Sequence, residues 1–271
     1  MTTNAQGSDE VVLVEMHDRV ATITLQRPEA RNALSAAVLS GLDAAVRICE
    51  ADDTIDVMIL TGADPAFCAG LDLKELASGA LAKVFSEEPH LADRGAQPGP
   101  LPALTKPLIG AINGIAVTGG LELALACDFL VASERARFAD THSRVGILPE
   151  WGLTVLLPQA VGVRRAREMS ATGNQVDAAT ALEWGLVNHV VAHDELLPFC
   201  AQLAADIVSN DAAAVRAMFR TYAAGSLLPV AEAWALEGTA ARAWRKGGGG
   251  ELSEVARRRA DVIARGKAQS D

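Results

Sequence analysis

Two glycine-bearing turns stand out as places where the backbone of this chain could do chemistry. The first is Gly119-Gly120-Leu121-Glu122, directly after an apolar run. Two glycines let the main chain come close to a ligand, and the exposed N–H groups of a helix start favour negative charge. Glu122 falls in the first turn of that helix, and Leu123 to Cys127 is nearly all apolar. This predicts a buried carboxylate, a setting that suits general acid–base work. The competing reading is a carboxylate that only complements the helix dipole. The second turn is Phe67-Cys68-Ala69-Gly70-Leu71-Asp72-Leu73, where Ala69 and Gly70 again permit close approach. One N–H from each turn, aimed at the same carbonyl oxygen, would stabilise an oxyanion; losing one such donor costs ~10²–10³ in rate. Neither turn is specific alone, because a glycine after a strand is usually just a turn.

Other chemical signals are weak. His189 and His193 have i, i+4 spacing, but Val190-Val191 between them reads as strand, which argues against one shared metal. Gly247 to Gly250 has no following Lys-Ser or Lys-Thr and is not a phosphate loop. It reads as a flexible connection between helices. No Gly-x-Ser-x-Gly elbow is present.

The elements that must hold the two turns alternate between strand and helix. Val11 to Met16 and Val20 to Leu25 alternate as paired strands about His17-Asp18-Arg19. Ser35 caps a helix running to about Ala51, with apolar Val38, Leu42, Val46 and Cys49 on one face. Val57 to Leu60 is a buried strand with an exit turn at residues 61–65, and Pro107 to Val117 is an apolar strand broken at Asn113-Gly114. Phe129 to Ala132 and Arg137 to Ala139 are further strands. Beyond Trp151 the pattern is helical, apart from a strand suggested by Val187, Val190 and Val191. Such alternation argues for an α/β fold with a partly parallel sheet. Residues 77–105, rich in Gly and Pro, read as a helical piece followed by a mobile loop. The division expected is a disordered lead at 1–10, a core at 11–200 and a helical region at 201–271.

Composition narrows the function classes. Half of the 271 residues are hydrophobic and the formal net charge is −10, which argues against a nucleic-acid partner. The apolar runs are interrupted well short of the roughly 20 residues a membrane span needs. Met1 to Glu10 is polar, without the basic and apolar regions of a signal peptide. The four scattered cysteines lack metal or disulfide spacing and read as reduced and mostly buried, as in a cytoplasmic protein.

Four segments taken together resemble the crotonase, or enoyl-CoA hydratase/isomerase, superfamily. They are Arg27-Pro28 to Asn32-Ala33-Leu34, Ala66 to Lys74, Lys106-Pro107 to Asn113-Gly114, and Gly119 to Ala124 with Cys127-Asp128. Their order and separations match along residues 10–200. The resemblance implies a crotonase-like spiral of strand–strand–helix repeats with a C-terminal helical trimerisation region, assembled as a homotrimer or a dimer of trimers. It implies an acyl-CoA substrate whose thioester oxygen is held by the Leu71 and Gly119 amides, with no metal or redox cofactor beyond the CoA of the substrate. Ala69 and Leu73, with Asp72 between them, match CoA-contacting positions; Arg31 and Lys74 match positions near the CoA phosphates. Lys267, on the last helix, is a candidate for a neighbour's CoA. Trp151 is a candidate wall of the acyl pocket.

Glu122 matches the first of two glutamates of the hydratases, but the position of the second is His142, in Asp140-Thr141-His142. A histidine can shuttle protons near neutral pH with different charge and reach. Glu150 stands where the hydratases commonly have glycine; it either supplies the missing carboxylate or is a surface acid. The leading expectation is hydration of a trans-2-enoyl-CoA. A double-bond isomerase, an acyl-CoA hydrolase with His142 as base, and a non-catalytic CoA-binding protein are the alternatives.

Overall fold

The computed structural model describes residues 10–81 and 99–268. Residues 1–9 of the lead expected at 1–10, and most of the irregular 77–105 stretch, lie outside them. The described residues divide into two compact units, one running to Ala212 and one from Ala213.

The first unit is built on two sheets. The larger has strand order β1-β2-β3-β5-β7-β10, from Val12–His17, Val20–Leu25, Val57–Gly62, Leu108–Ile112, Phe129–Ser133 and His189–Val191. The smaller has order β4-β6-β8-β9, from Ala66–Cys68, Ile115–Val117, Arg137–Ala139 and Val176–Asp177. Only the β1–β2 and β8–β9 pairs are antiparallel. Each turn of chain thus lays one strand in the first sheet and the next in the second: β3 then β4, β5 then β6, β7 then β8. A helix or helical run follows each pair: α2 (Leu73–Ser78), α3 (Gly119–Leu125), and α4 (His142–Val145) with α5 (Leu153–Val161) and α6 (Val163–Thr172). This is the expected strand–strand–helix spiral. The break at Asn113-Gly114 is where the chain passes from one sheet to the other.

Burial explains why β3 reads as one continuous apolar run. Val57 and Ile59 face a cluster with Ile109, Ala111, Val131 and residues Leu196, Cys200 and Ala204 of α8 (Leu196–Val208). Met58 and Leu60 face the main core, together with Val38, Leu42 and Val46 of α1 (Ala36–Ala51). A strand covered on both faces has no polar side to alternate with. Ser35 caps α1 as expected, its Oγ accepting from the Val38 N–H at 3.2 Å. The helix α8 spans the expected boundary at 200/201, and its packing under the larger sheet is why the first compact unit runs to Ala212. The pattern also passed over α2, over the two-residue strand β9, and over a short α7 (Ala178–Trp184) as a separate element.

The corners of the spiral are stitched by two buried asparagines. Asn32 accepts from Arg27 N–H at 2.9 Å and donates to the Ala63 and Ala66 carbonyls at 2.8 and 2.7 Å. Its φ of 55° is left-handed, a region asparagine tolerates better than most residues. Asn113 accepts from Gly62 N–H at 3.3 Å and donates to Asp64 and to Ala66 O at 3.0 and 3.2 Å. Both side chains tie successive corners together where no ladder bond can.

The second unit is helical: it holds all but the first residue of α9 (Ala212–Gly225), then α10 (Val230–Lys246) and α11 (Leu252–Ala268), with the expected glycine break at 247–250 between the last two. No helix is long and apolar enough to cross a membrane among the described residues.

Asn32→Ala should lower unfolding free energy by about 3 kcal/mol, since it strands buried partners and puts alanine at positive φ. Urea unfolding followed by circular dichroism measures it.

Candidate active site

Two turns from different repeats meet at the start of α3. Leu34 pairs with the second turn in a single parallel bridge: its N–H donates to Gly70 O at 2.8 Å and its carbonyl accepts from Asp72 N–H at 3.0 Å. Those two bonds flank Leu71, whose own N–H therefore points to the opposite side. The Gly119 N–H is at the helix start, where no backbone acceptor lies one turn back. A methyl carbon built on Gly119 would sit 3.6 Å from the Leu71 nitrogen, so the two turns are neighbours.

This approach is possible only because side chains are missing. A Cβ on Gly120 would lie 2.1 Å from the Cys68 carbonyl oxygen. Gly70 has φ of 87°, and a Cβ there would lie 2.8 Å from Val117 O and 3.3 Å from Gly119 N. Between the strand and the helix stands Thr118, a β-branched residue at φ 55° and ψ −116°. Such backbone costs about 1–3 kcal/mol and persists only where neighbours hold it. Thr118 is held from both ends: its N–H donates to Ala139 O at 2.9 Å, and its hydroxyl pairs with that of Thr141 at 2.5 Å.

Glu122 lies one helical turn further on and is 3 % exposed. One of its oxygens accepts the Trp151 N–H at 2.8 Å; the other faces His142 Nε2 at 3.4 Å. His142 is also buried. Its Nδ1 meets Asp140 Oδ1 at 2.6 Å, and its backbone N–H donates to the same oxygen at 3.1 Å. Burial by itself would lower the imidazole's proton affinity, but the Asp140 and Glu122 carboxylates outweigh it and raise the pKa to about 9. Burial would raise Asp140, yet hydrogen bonds from His142 and Ser170 hold it below its ordinary range. The result is a buried row of acid groups, Asp140, His142 and Glu122, with the central ring protonated at neutral pH. Beside two amides that have no partner among the described residues, it can take one proton and give another.

Of the two expected candidates for the second acid–base group, His142 is against Glu122, while the Glu150 side chain is exposed. The chain turns at that point so that the next residue, Trp151, points inward. Its amide holds Glu122, and its ring carbon Cζ3 would be 3.3 Å from a Cβ on Gly119. Trp151 thus lies beside the two turns. Asp140 and the Trp151 amide were passed over in the sequence; the Asp-x-His spacing was a signal for the first, and nothing local betrays the second.

The other expected site residues separate. Ala69, whose N–H donates to Arg31 O at 3.0 Å, and the exposed Leu73, Lys74 and Arg31 cluster around the second turn and α2. Asp72, expected as a CoA contact, has its carboxylate bonded within the chain. Its carboxylate caps α2 through Lys74 and Glu75 N–H at 2.9 and 3.3 Å, and it pairs with Arg27 at 2.7 Å. Those bonds occupy the side chain because an N-terminal helix turn and a neighbouring guanidinium both call for an anion. Lys267 lies on α11 in the second unit. His189 lies against Phe199, while His193 bridges Ser133 and Asp64 at 3.0 Å each.

Known proteins resemble this chain in sequence and in architecture. The profile of the family described as enoyl-CoA hydratase/isomerase matches residues 15–242. A protein of Arabidopsis thaliana named probable enoyl-CoA hydratase 1, peroxisomal, is 39% identical over 228 residues, 84% of each chain. The crystal structure of an enoyl-CoA hydratase from Mycobacterium tuberculosis H37Rv is 53% identical, with TM-score 0.72 over 86% of this chain and 98% of that one. An enoyl-CoA hydratase structure from Bacillus anthracis is 34% identical, with TM-score 0.76 over 86% and 90%.

Gly120→Ala should destabilise the protein by about 1–3 kcal/mol, as overpacking does; thermal unfolding reads this directly. The raised His142 also makes a signed prediction. An unfolded histidine titrates near 6.5 and the folded one near 9, so the stabilisation is complete below 6.5 and lost as pH rises through about 9. Urea midpoints should fall across that window in the wild type, and less in His142→Gln.

Proposed function

The chain belongs to the enoyl-CoA hydratase/isomerase family, and on that footing we propose that it adds water across the double bond of a trans-2-enoyl thioester of coenzyme A. The product is the 3-hydroxyacyl thioester. The observation that carries this reading is the contact between Glu122 and His142, on and beside the helix whose first amide adjoins that of Leu71, neither amide having a partner among the described residues.

The thioester oxygen accepts the Leu71 and Gly119 N–H groups. Negative charge grows on that oxygen as water attacks the β-carbon, and preorganised donors stabilise it. Glu122 takes a proton from the attacking water. Its second oxygen is pinned by Trp151 N–H, which keeps the accepting oxygen aimed toward the imidazole side. The α-carbon, carrying enolate character, takes a proton from His142 Nε2. Glu122 then holds the proton that His142 lacks, and transfer across their contact restores both. Atoms balance with one water added, and the steps use protons only.

Such groups typically raise the rate ~10²–10⁴-fold. A double-bond isomerase needs one shuttle and no placed water, so two facing acid–base groups favour hydration. Arg31 and Lys74, both exposed near the second turn, attract the CoA phosphates; Ala69 and Leu73 offer main-chain contacts nearby, and Trp151 bounds the acyl chain. The same reading carries an assembly of three chains, or two such trimers, with Lys267 serving a neighbour's CoA. It assigns the enzyme to the cytoplasm, whereas the Arabidopsis relative is named for the peroxisome.

Purified protein with crotonyl-CoA should lose the absorbance of the conjugated enoyl thioester, and Glu122→Gln should lower kcat by ~10²–10⁴. Heavy-oxygen water should label the β-carbon hydroxyl. Label in a free acid would mean hydrolysis, and a moved double bond without label would mean isomerisation. An unaffected Glu122→Gln would overturn these roles.

A further inference from the structure

A histidine standing where the hydratases have a second glutamate raises a question of orientation. An imidazole presents two different nitrogens, and only one rotation of the ring brings a proton to Glu122. Asp140 settles that rotation. At the exit of β8 its Oδ1 takes both the His142 backbone N–H (3.1 Å) and Nδ1 (2.6 Å), hooking the ring from behind. With Nδ1 tied, Nε2 is left to face Glu122 at 3.4 Å. The hook is itself anchored: Asp140 accepts from the Ser170 side chain on α6, and the Ser170 carbonyl accepts from Ser143 Oγ on α4 at 2.8 Å.

The charges around the ring are unbalanced in a useful direction. Glu122 reaches it from α3 and Asp140 from the end of β8. Arg144, the cation of α4, turns away to Thr172 O at 2.7 Å and Asn174 Oδ1 at 3.2 Å beyond α6. Two carboxylates thus bracket one imidazole. We propose that Asp140 is a positioning residue for the reaction, clamping His142 so that a protonated Nε2 faces Glu122 and the histidine serves in place of a second carboxylic acid. The inference rests on the hydratase reading above.

The chemistry follows from which nitrogen carries hydrogen. A neutral ring held at Nδ1 by Asp140 has only a lone pair at Nε2, facing a carboxylate, and has no proton to give to the α-carbon. The second anion makes the doubly protonated ring the favoured form at neutral pH, as two neighbouring opposite charges do. Without Asp140 the ring keeps one carboxylate, loses its hook, and is free to turn either nitrogen toward Glu122.

The test is a titration that needs no substrate. In protein labelled at histidine, the His142 ring resonance, identified by its loss in His142→Gln, is followed against pH in the wild type and in Asp140→Asn. The wild-type ring is expected to titrate near 9, and the variant lower by roughly 1 unit or more. The basic limb of the kcat profile for crotonyl-CoA should move down with it, and loss of the fixed ring orientation should bring the fall in kcat near pH 8 to ~10–100-fold, with KM little changed. Asp140→Ser, smaller and also uncharged, carries the same expectation should Asp140→Asn fold poorly. In a His142→Glu background Asp140→Asn should carry no such loss, since no ring is left to clamp. An unmoved titration and basic limb, or an equal loss in the His142→Glu background, would make Asp140 a merely structural residue and overturn the proposal. A wild-type protein inactive on enoyl thioesters would defeat the hydratase reading while the ring titration still judged the clamp.

Discussion

The site depends on how near two stretches of main chain can come. The first turn of α3 lies against the Cys68–Leu71 turn at a separation that excludes a methyl group at residue 120 and strains one at residue 70. Backbone amides serve as catalytic donors only when their direction is set by the fold, because the main chain has no rotamer to adjust. Here the direction comes from two sources. A single parallel bridge to Leu34 turns the Leu71 N–H to the opposite side, and the start of a helix leaves the Gly119 N–H without a partner among the described residues. The strained Thr118 between β6 and α3 is the point where the chain swings sharply enough to bring them together.

Around this backbone frame the protein has gathered charge that would be costly if left unpaired. A carboxylate taken out of water must find hydrogen bonds or an opposite charge. Glu122 has the Trp151 amide and the imidazole, and Asp140 has the imidazole, its amide and Ser170. The single positive ring between two negative groups lowers the cost of all three. It also keeps a transferable proton beside an acceptor. On the hydration proposal, stability and reactivity draw on the same contact, and the pH at which the ring discharges limits both.

The spiral explains why residues so far apart in sequence converge. Each repeat sends one strand to each sheet, so the exits of β4, β6 and β8 lie side by side in the smaller sheet. The Leu71 turn, the start of α3 and the His142 segment are these three exits. The hydroxyl pair of Thr118 and Thr141 links the last two directly. Asn32 and Asn113 hold the corners in register, which is why buried asparagines appear in an otherwise apolar body.

Much of this was legible along the chain. The glycine pair with Glu122 behind it, the Cys68–Leu71 turn, the cap at Ser35 and the strand break at Asn113-Gly114 each depend on local backbone preference or on periodicity, and such preferences are written in neighbouring residues. The order of those motifs was enough to resemble one family. Whether Glu122 faced another acid–base group or only its own helix end, and whether that group was His142 or Glu150, were matters of direction in space. The 150–151 turn exposes one side chain and buries the next, and no local pattern decides which. Nothing along the chain shows that the Asp72 carboxylate pairs with Arg27, 45 positions away. The clamp of Asp140 on His142 is short in sequence yet still hidden, because two residues at that spacing meet only when the backbone between them bends. The chain by itself thus determined the elements and the inventory of reactive groups. Only tertiary structure decided which groups touch, since that rests on the long-range stacking of repeats and on burial, neither of which any local stretch of residues encodes.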